Sequence, residues 1–210
     1  MDKIVRIVLY LNSGRRFMKP QNDDRRILRT RNSLRDALFS LMLEQKYDDI
    51  AIKTILHRAN IGRSTFYLHY NDKEELLADS LDRLFEMLHH AQIMASPVEK
   101  HEKAIGFSLM MFQHAYESRD IYKNLVGSRG WDFVSRRIED YIVQLIKEEV
   151  KPLFKKKSSS EITLDFFVYY LGSSFISVLT WWLNNSKSIT PMEINNLFRK
   201  MVLPILAAHL

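Results

Sequence analysis

Between Ile52 and Tyr70 the backbone has few options. Ile52, Ile55, Leu56 and Ala59 recur at helical spacing and give a short helix one apolar face. Asn60-Ile61-Gly62 then breaks the pattern with residues that accept a sharp reversal. Arg63-Ser64-Thr65-Phe66-Tyr67-Leu68-His69-Tyr70 follows at once, carrying hydroxyl, aromatic and basic groups in place of a plain apolar face. Two short helices across a three-residue turn is the arrangement of a DNA-binding helix-turn-helix, whose second helix lies in the major groove. Any helical hairpin could carry the same turn.

The residues beyond the turn are more specific. Ile61-Gly62-Arg63-Ser64-Thr65-Phe66-Tyr67-Leu68-His69-Tyr70-Asn71-Asp72-Lys73-Glu74-Glu75-Leu76-Leu77 resembles the signature of the TetR family of bacterial transcriptional regulators. That signature runs Val or Ile, a small capping residue, Thr-aromatic-Tyr, a His-aromatic pair, then Lys-Glu-x-Leu opening the next helix. Ile52-Lys53 and Ile55 to Ala59 match the family's first helix of the pair, and the resemblance covers about Arg25 to Leu84. Three positions depart from it. Ala51 stands where the family usually has a Thr that caps the helix and can touch a phosphate. Asn60 replaces a usual Gly, and Asn enters the left-handed region more readily than most residues. Gly62 replaces a usual Ser and brings no side-chain oxygen to the cap. The resemblance implies an all-α fold, with an N-terminal three-helix helix-turn-helix head followed by a helical ligand-binding and dimerisation body. The divisions expected are 1–20 as an N-terminal extension, 21–70 as the DNA-binding domain and 71–210 as the regulatory and dimerisation domain.

Composition supports a helical chain, with only 6 Gly and 5 Pro in 210 residues. The absence of cysteine excludes disulfides, thiol catalysis and thiolate metal sites, and agrees with a reducing cytoplasm. Net charge is +6, and its location matters more than its size: residues 1–31 hold nine Lys or Arg against three Asp, which is the whole surplus. Phosphate attraction therefore concentrates at the amino end and at isolated groups in the motif. Ile4 to Leu11 is apolar but far too short to span a bilayer, and no small-residue cleavage site follows it. The reading is that residues 1–17 lie upstream of the true start, with Met18 the natural initiator; a solvated basic tail is the plain alternative.

A helix is expected from about Arg25 to Gln45, burying Ile27, Leu34, Leu38, Leu41 and Met42, with Ala37 and Phe39 extending the stripe and Tyr47 and Ile50 plugging the small core beyond it. Thr30 and Arg31 are candidate phosphate contacts, with a solvated basic face as the alternative. Arg63 has the fork to pair with guanine O6 and N7, and Ser64 and Thr65 are short enough to touch a base edge or a thymine methyl. Tyr67, His69 and Lys73 resemble the family's phosphate-contacting trio, and Lys53 has the reach for another phosphate. Phe66 and Tyr70 read as core. No second ligand stands at metal spacing from His69, so no metal is expected. Asn71 with Glu74 reads as a capping box opening a long helix through Leu76, Leu77, Leu81, Leu84, Phe85 and Leu88.

Further helices are expected at about Val98–Glu117 (stripe Ile105, Leu109, Phe112, Tyr116), Asp120–Val126 and Trp131–Lys151, with a loop at residues 127–130 and a basic, Ser-rich connector from Pro152 to Ser160. Ile162 to Leu183 is apolar almost all the way round, so it must be covered on every side. By length it could instead cross a membrane, but Gly172-Ser173-Ser174, Ser177, Thr180 and Asp165 weaken that alternative. Thr190-Pro191 caps and opens the last helix. These two final helices resemble the four-helix dimer interface of the family, which implies Phe166, Tyr170, Phe175, Leu179, Trp182, Leu197, Phe198 and Met201 as interface residues. The Trp181-Trp182-Leu183-x-Asn185 run also resembles a branch that includes regulators of dihydroxyacetone kinase operons. Family members usually hold an effector inside the body, and Phe107, Met110, Met111, His114, Tyr122, Trp131 and Tyr169 are candidates to line it, against the plain alternative of packed core.

No phosphate-cradling Gly loop, GxSxG or His-Glu-x-x-His is present. The expectation is no enzyme and no cofactor. It is a cytoplasmic homodimer that binds a pseudo-palindromic double-stranded DNA operator, a repressor released by a small-molecule effector, with no membrane partner. Two rivals stay open: the same fold controlled by a protein partner, and a membrane-tethered regulator.

Overall fold

The computed structural model describes residues 22–94, 105–151, 163–185 and 188–209. The extension over residues 1–20, the start of the helix expected at Val98 and the connector from Pro152 to Ser160 lie outside them. Among the described residues every regular element is helical: α1 (Asn22–Glu44), a 3-10 turn (Tyr47–Asp49), α2 (Ile52–Ala59), α3 (Arg63–Tyr67), α4 (Lys73–Met94), α5 (Phe107–Glu117), α6 (Arg119–Leu125), α7 (Arg129–Val150), α8 (Leu164–Asn185) and α9 (Pro191–His209). The chain forms two units, one of the residues up to Met87 with 120–134, the other of Leu88–Arg119 with 135–210.

In the first unit, α1 buries Leu34, Leu38, Leu41 and Met42, all within a single stripe and each no more than 2% exposed. Each such side chain contributes about 1.5–3 kcal/mol by leaving water. Ile27 is 42% exposed, so the stripe begins later than the periodicity predicts; that turn is occupied by the exposed Arg25, Arg26 and Arg29 instead. α2 packs on α1, and Arg58 on α2 places its fork on Glu44, donating at 2.8 and 2.7 Å to the two carboxylate oxygens. This pair holds the Glu44 carboxyl below its ordinary range. The polypeptide reverses where Asn60 takes φ 52° and ψ 46°, the left-handed conformation that a side chain seldom adopts. The Ile61 amide then returns to the Leu56 carbonyl at 3.0 Å.

Three local expectations shift. α3 was expected to continue to Tyr70 and stops at Tyr67, because the amides of His69 and Tyr70 both converge on the Phe66 carbonyl, at 2.8 and 2.9 Å, and tighten the last turn. The cap of α4 lies one residue further on than Asn71 and Glu74: Asp72 accepts from the Glu75 amide at 2.7 Å, while the Glu75 carboxylate accepts from the Asn71 amide at 2.7 Å. Arg129 and Gly130, expected in a loop, are instead the first turn of α7. A Cβ at Gly130 would overlap the fully buried Tyr47 ring, so only glycine brings α7 this close. Asn124 on α6 adds a bond to the Met42 carbonyl at 2.8 Å.

The second unit is built from rings. Phe112 on α5 lies 4.9 Å from Phe175, 5.6 Å from Trp182 and 6.3 Å from Phe198, and Phe107 lies 5.2 Å from Phe175. All five rings are at most 2% exposed. The Trp182 indole donates to the Ile189 carbonyl at 3.0 Å, which satisfies its polar atom. Tyr116, expected in the buried stripe, is 49% exposed. α9 opens on the expected cap, with Glu193 accepting from the Thr190 amide at 2.8 Å. Among the described residues α8 is the one helix long and apolar enough to cross a membrane; Phe167, Leu171, Phe175, Leu179 and Trp182 on it are filled into the unit's core.

Candidate nucleic-acid interface

α3 is short, so its orientation depends on what anchors it. Phe66 and Tyr70 are buried at 0% and 2% exposure, and their rings lie 5.9 Å apart. The Tyr70 hydroxyl donates to Asp79 on α4 at 2.8 Å, and Asp79 also sits 3.8 Å from Arg31 and 3.9 Å from the buried Arg35. Burial first, and the Asp79 contact second, push the Tyr70 phenol up from its ordinary value, so it stays protonated and keeps donating. Arg31 also lies over the Tyr70 ring at 5.4 Å. Arg31 is thus tied into this network rather than extended from α1.

The anchored face is the inner one. On the outer face Arg63, Ser64 and Tyr67 are exposed, with the Arg63 guanidinium 5.7 Å from the centre of the Tyr67 ring. This contact restrains a side chain that would otherwise lose much rotamer freedom on binding. Thr65 and His69 are half-buried at the edges, Thr30 is half-buried on α1, and Lys53 is exposed on α2. Gly62 leaves open space at the start of α3, with Thr65 Oγ1 at 3.9 Å the nearest atom a Cβ would meet. Leu68, 81% exposed, extends the outer face. Its plain aliphatic chemistry does not single it out in the sequence, although the 63, 64, 67, 68 spacing that marks the face is visible there.

Lys73 is placed differently from the other candidates. Its ammonium donates to the carbonyls of Tyr47 at 2.9 Å and Ile50 at 3.0 Å, and lies 4.4 Å from the Tyr47 ring centre. Those bonds hold the 3-10 turn against the start of α4 and occupy the ammonium to which the resemblance assigned a phosphate.

The other two sets divide as well. Phe175, Leu179, Trp182 and Phe198, expected at a dimer interface, are at most 2% exposed within the second unit and cannot meet a partner surface. Phe166, Tyr170, Leu197 and Met201 are 43–69% exposed, and Tyr169 and Trp181 join them at 61% and 50%. The reason is helical phase: on α8, positions 166, 169/170, 177 and 181 share one side, and 167, 171, 175, 179 and 182 the other. Tyr169, expected to line an effector cavity, therefore faces outward. Of the remaining effector candidates, Phe107 and Met111 are buried, Met110 and His114 half-buried, all in the second unit. Tyr122 and Trp131 belong to the first unit, where their rings lie 6.2 Å apart. Burial holds the His114 imidazole down to about 4, so it is neutral near pH 7. An open groove of about 700 Å3 lies at the start of α9, lined by Ser188, Ile189, Glu193, Asn196, Leu197 and Lys200, and none of the seven candidates reaches it. No group of three or more metal-ligating side chains occurs among the described residues.

A family model described as a transcriptional regulator C-terminal region matches residues 102–203. The uncharacterised HTH-type transcriptional regulator YxbF of Bacillus subtilis is 29% identical over 175 residues, covering 82% of this chain but only 44% of that relative. The chain thus spans less than half the length of that protein. A TetR transcriptional regulator from Streptococcus agalactiae has 27% identity and a TM-score of 0.63, covering 86% of this chain and 97% of its own. The dihydroxyacetone kinase operon activator DhaS shares the fold at 16% identity and a TM-score of 0.55, covering 85% of this chain and 94% of its own.

Proposed function

The chain belongs to the TetR family of transcriptional regulators, and on that premise we propose that it is a cytoplasmic repressor that binds a pseudo-palindromic DNA operator as a homodimer and is released by a small molecule. The observation that carries the proposal is the outer face of α3. Arg63, Ser64 and Tyr67 stand exposed on a five-residue helix whose inner side is pinned by Phe66 and Tyr70. Arg63 pairs with a guanine edge; Ser64 and Thr65 touch neighbouring bases; Tyr67, His69, Lys53 and Thr30 meet the phosphates. The head at 21–70 serves DNA, and 71–210 serves regulation. Two copies meet through Phe166, Tyr169, Tyr170, Trp181, Leu197 and Met201, since operator half-sites are read by symmetric helices. The effector enters among Phe107, Met110, Met111 and His114.

Selection of duplexes from a random pool by the purified protein tests the reading. A palindromic consensus is expected, with Arg63→Ala relaxing the preference at one base pair per half-site by about 1–3 kcal/mol. A protein that stays monomeric and retains no duplex at low salt refutes it. A second reading, control by a protein partner, is favoured by the ring-filled core of the second unit. A ligand screen by thermal shift separates the two, because an effector stabilises the fold by mass action.

A further inference from the structure

Leu68 is the most exposed large apolar residue of the described chain, at 81%, against 69% for Met201. Its amide still donates to the Ser64 carbonyl at 3.2 Å, so it continues the helical phase of α3. In that phase 63, 64, 67 and 68 share one side, opposite the buried Phe66. Leu68 therefore stands beside Ser64 and Tyr67 on the face that carries Arg63. A leucine has nothing to offer a phosphate, and it neither donates to nor accepts from a base edge. One apolar group is displayed on the floor of the major groove, the C5-methyl of thymine.

From this placement we infer that Leu68 reads a thymine in each half-site through contact with its C5-methyl group. The inference rests on the DNA-binding reading above and adds a specificity-determining residue to it. Lys53 carries general attraction to the duplex and Arg63 reads its guanine, whereas Leu68 contributes only where a methyl group meets it.

Replacing thymines of the selected operator by deoxyuridine, one at a time, isolates that contact, since the substitution removes the methyl and leaves every hydrogen-bonding group. The native protein should lose about three- to fivefold in affinity at one position per half-site, the range for one buried methyl group. Leu68→Ala should lose a similar factor on the unmodified operator and show no further loss at the deoxyuridine. Leu68→Gln, which keeps the length but replaces the methyls with an amide, should be equally blind to the change. Both substitutions are at an exposed site, and unchanged thermal unfolding confirms that the fold is intact. If every thymine can be replaced without effect, or if the variants remain as sensitive as the native protein, Leu68 does not read the methyl while the DNA-binding reading survives. A protein that selects no duplex at all overturns both.

Discussion

The two units stabilise themselves by different means. In the first, polar side chains pin backbone and neighbouring helices: Lys73 bonds to the Tyr47 and Ile50 carbonyls, Asn124 to the Met42 carbonyl, and Tyr70 to Asp79. In the second, five rings pack on one another to form the core, and polar ties such as Ser108 to Asn195 at 2.7 Å and Arg119 to the Leu183 carbonyl at 3.4 Å accompany them. Directional bonds fix position to fractions of an ångström, whereas apolar contact mainly rewards volume. The face proposed to match base edges needs the first kind. A body that has to close around an apolar core is served by the second.

The difference can be broken at its strongest point first. Phe112→Ala removes the ring that touches three others and should cost about 3–5 kcal/mol in urea unfolding, because the remaining rings close the cavity only in part. A loss under 1 kcal/mol, roughly the cost of one methylene, would mean the ring cluster is not the body's main support.

A pair of glycine substitutions compares how far each unit yields. Alanine is favoured over glycine inside a helix by about 1 kcal/mol, so both changes would stabilise if space allowed. Gly130→Ala drives a methyl into the Tyr47 ring, which is walled in, and should destabilise by about 1–3 kcal/mol and weaken DNA binding. Gly172→Ala meets one atom of the half-buried Val143 side chain at 2.9 Å, against two Tyr47 ring atoms at 2.4 and 2.6 Å for Gly130, and should cost less, at most about 1 kcal/mol. Equal effects at the two sites would erase the contrast.

Acid should loosen the body through His114. Its folded-state value of about 4 lies below the ordinary 6.5, so between these pH values the unfolded chain binds the extra proton. Stability from this group is complete above about pH 6.5 and is lost as pH falls towards 4, amounting to about 2 kcal/mol at pH 5. Unfolding of His114→Gln at pH 7 and pH 5 checks the sign, because the variant should lack that share of the decline.

The smallest effect concerns Lys73. Lys73→Met keeps the stem and removes the ammonium, leaving the Tyr47 and Ile50 carbonyls without that donor, and should cost about 1 kcal/mol of stability. The salt dependence of DNA binding should keep its slope. A slope reduced by about one would return Lys73 to the phosphate contacts.

Much of this architecture is legible without coordinates. The α1 stripe from Leu34 to Met42, the reversal at Asn60 and the Thr190–Glu193 cap depend on residues within one or two turns of each other, and local spacing carries that information. The end of α3 was not legible, since nothing in Leu68-His69-Tyr70 announces that two amides will share the Phe66 carbonyl. The Lys73 tie joins residues 26 and 23 positions apart, beyond any periodic pattern.

α8 shows the division most clearly. Its composition by itself determined that a long helix apolar on all sides must be covered all round, and the residues from Ile52 to Leu77 determined the family and the reversal on which the head turns. Which side of α8 is core was decided only in three dimensions, where Phe107, Phe112 and Phe198 meet Phe175 and leave Phe166, Tyr170 and Trp181 to the outside. Periodicity reveals a face only when its two sides differ in polarity; where both are apolar, the neighbouring helices choose.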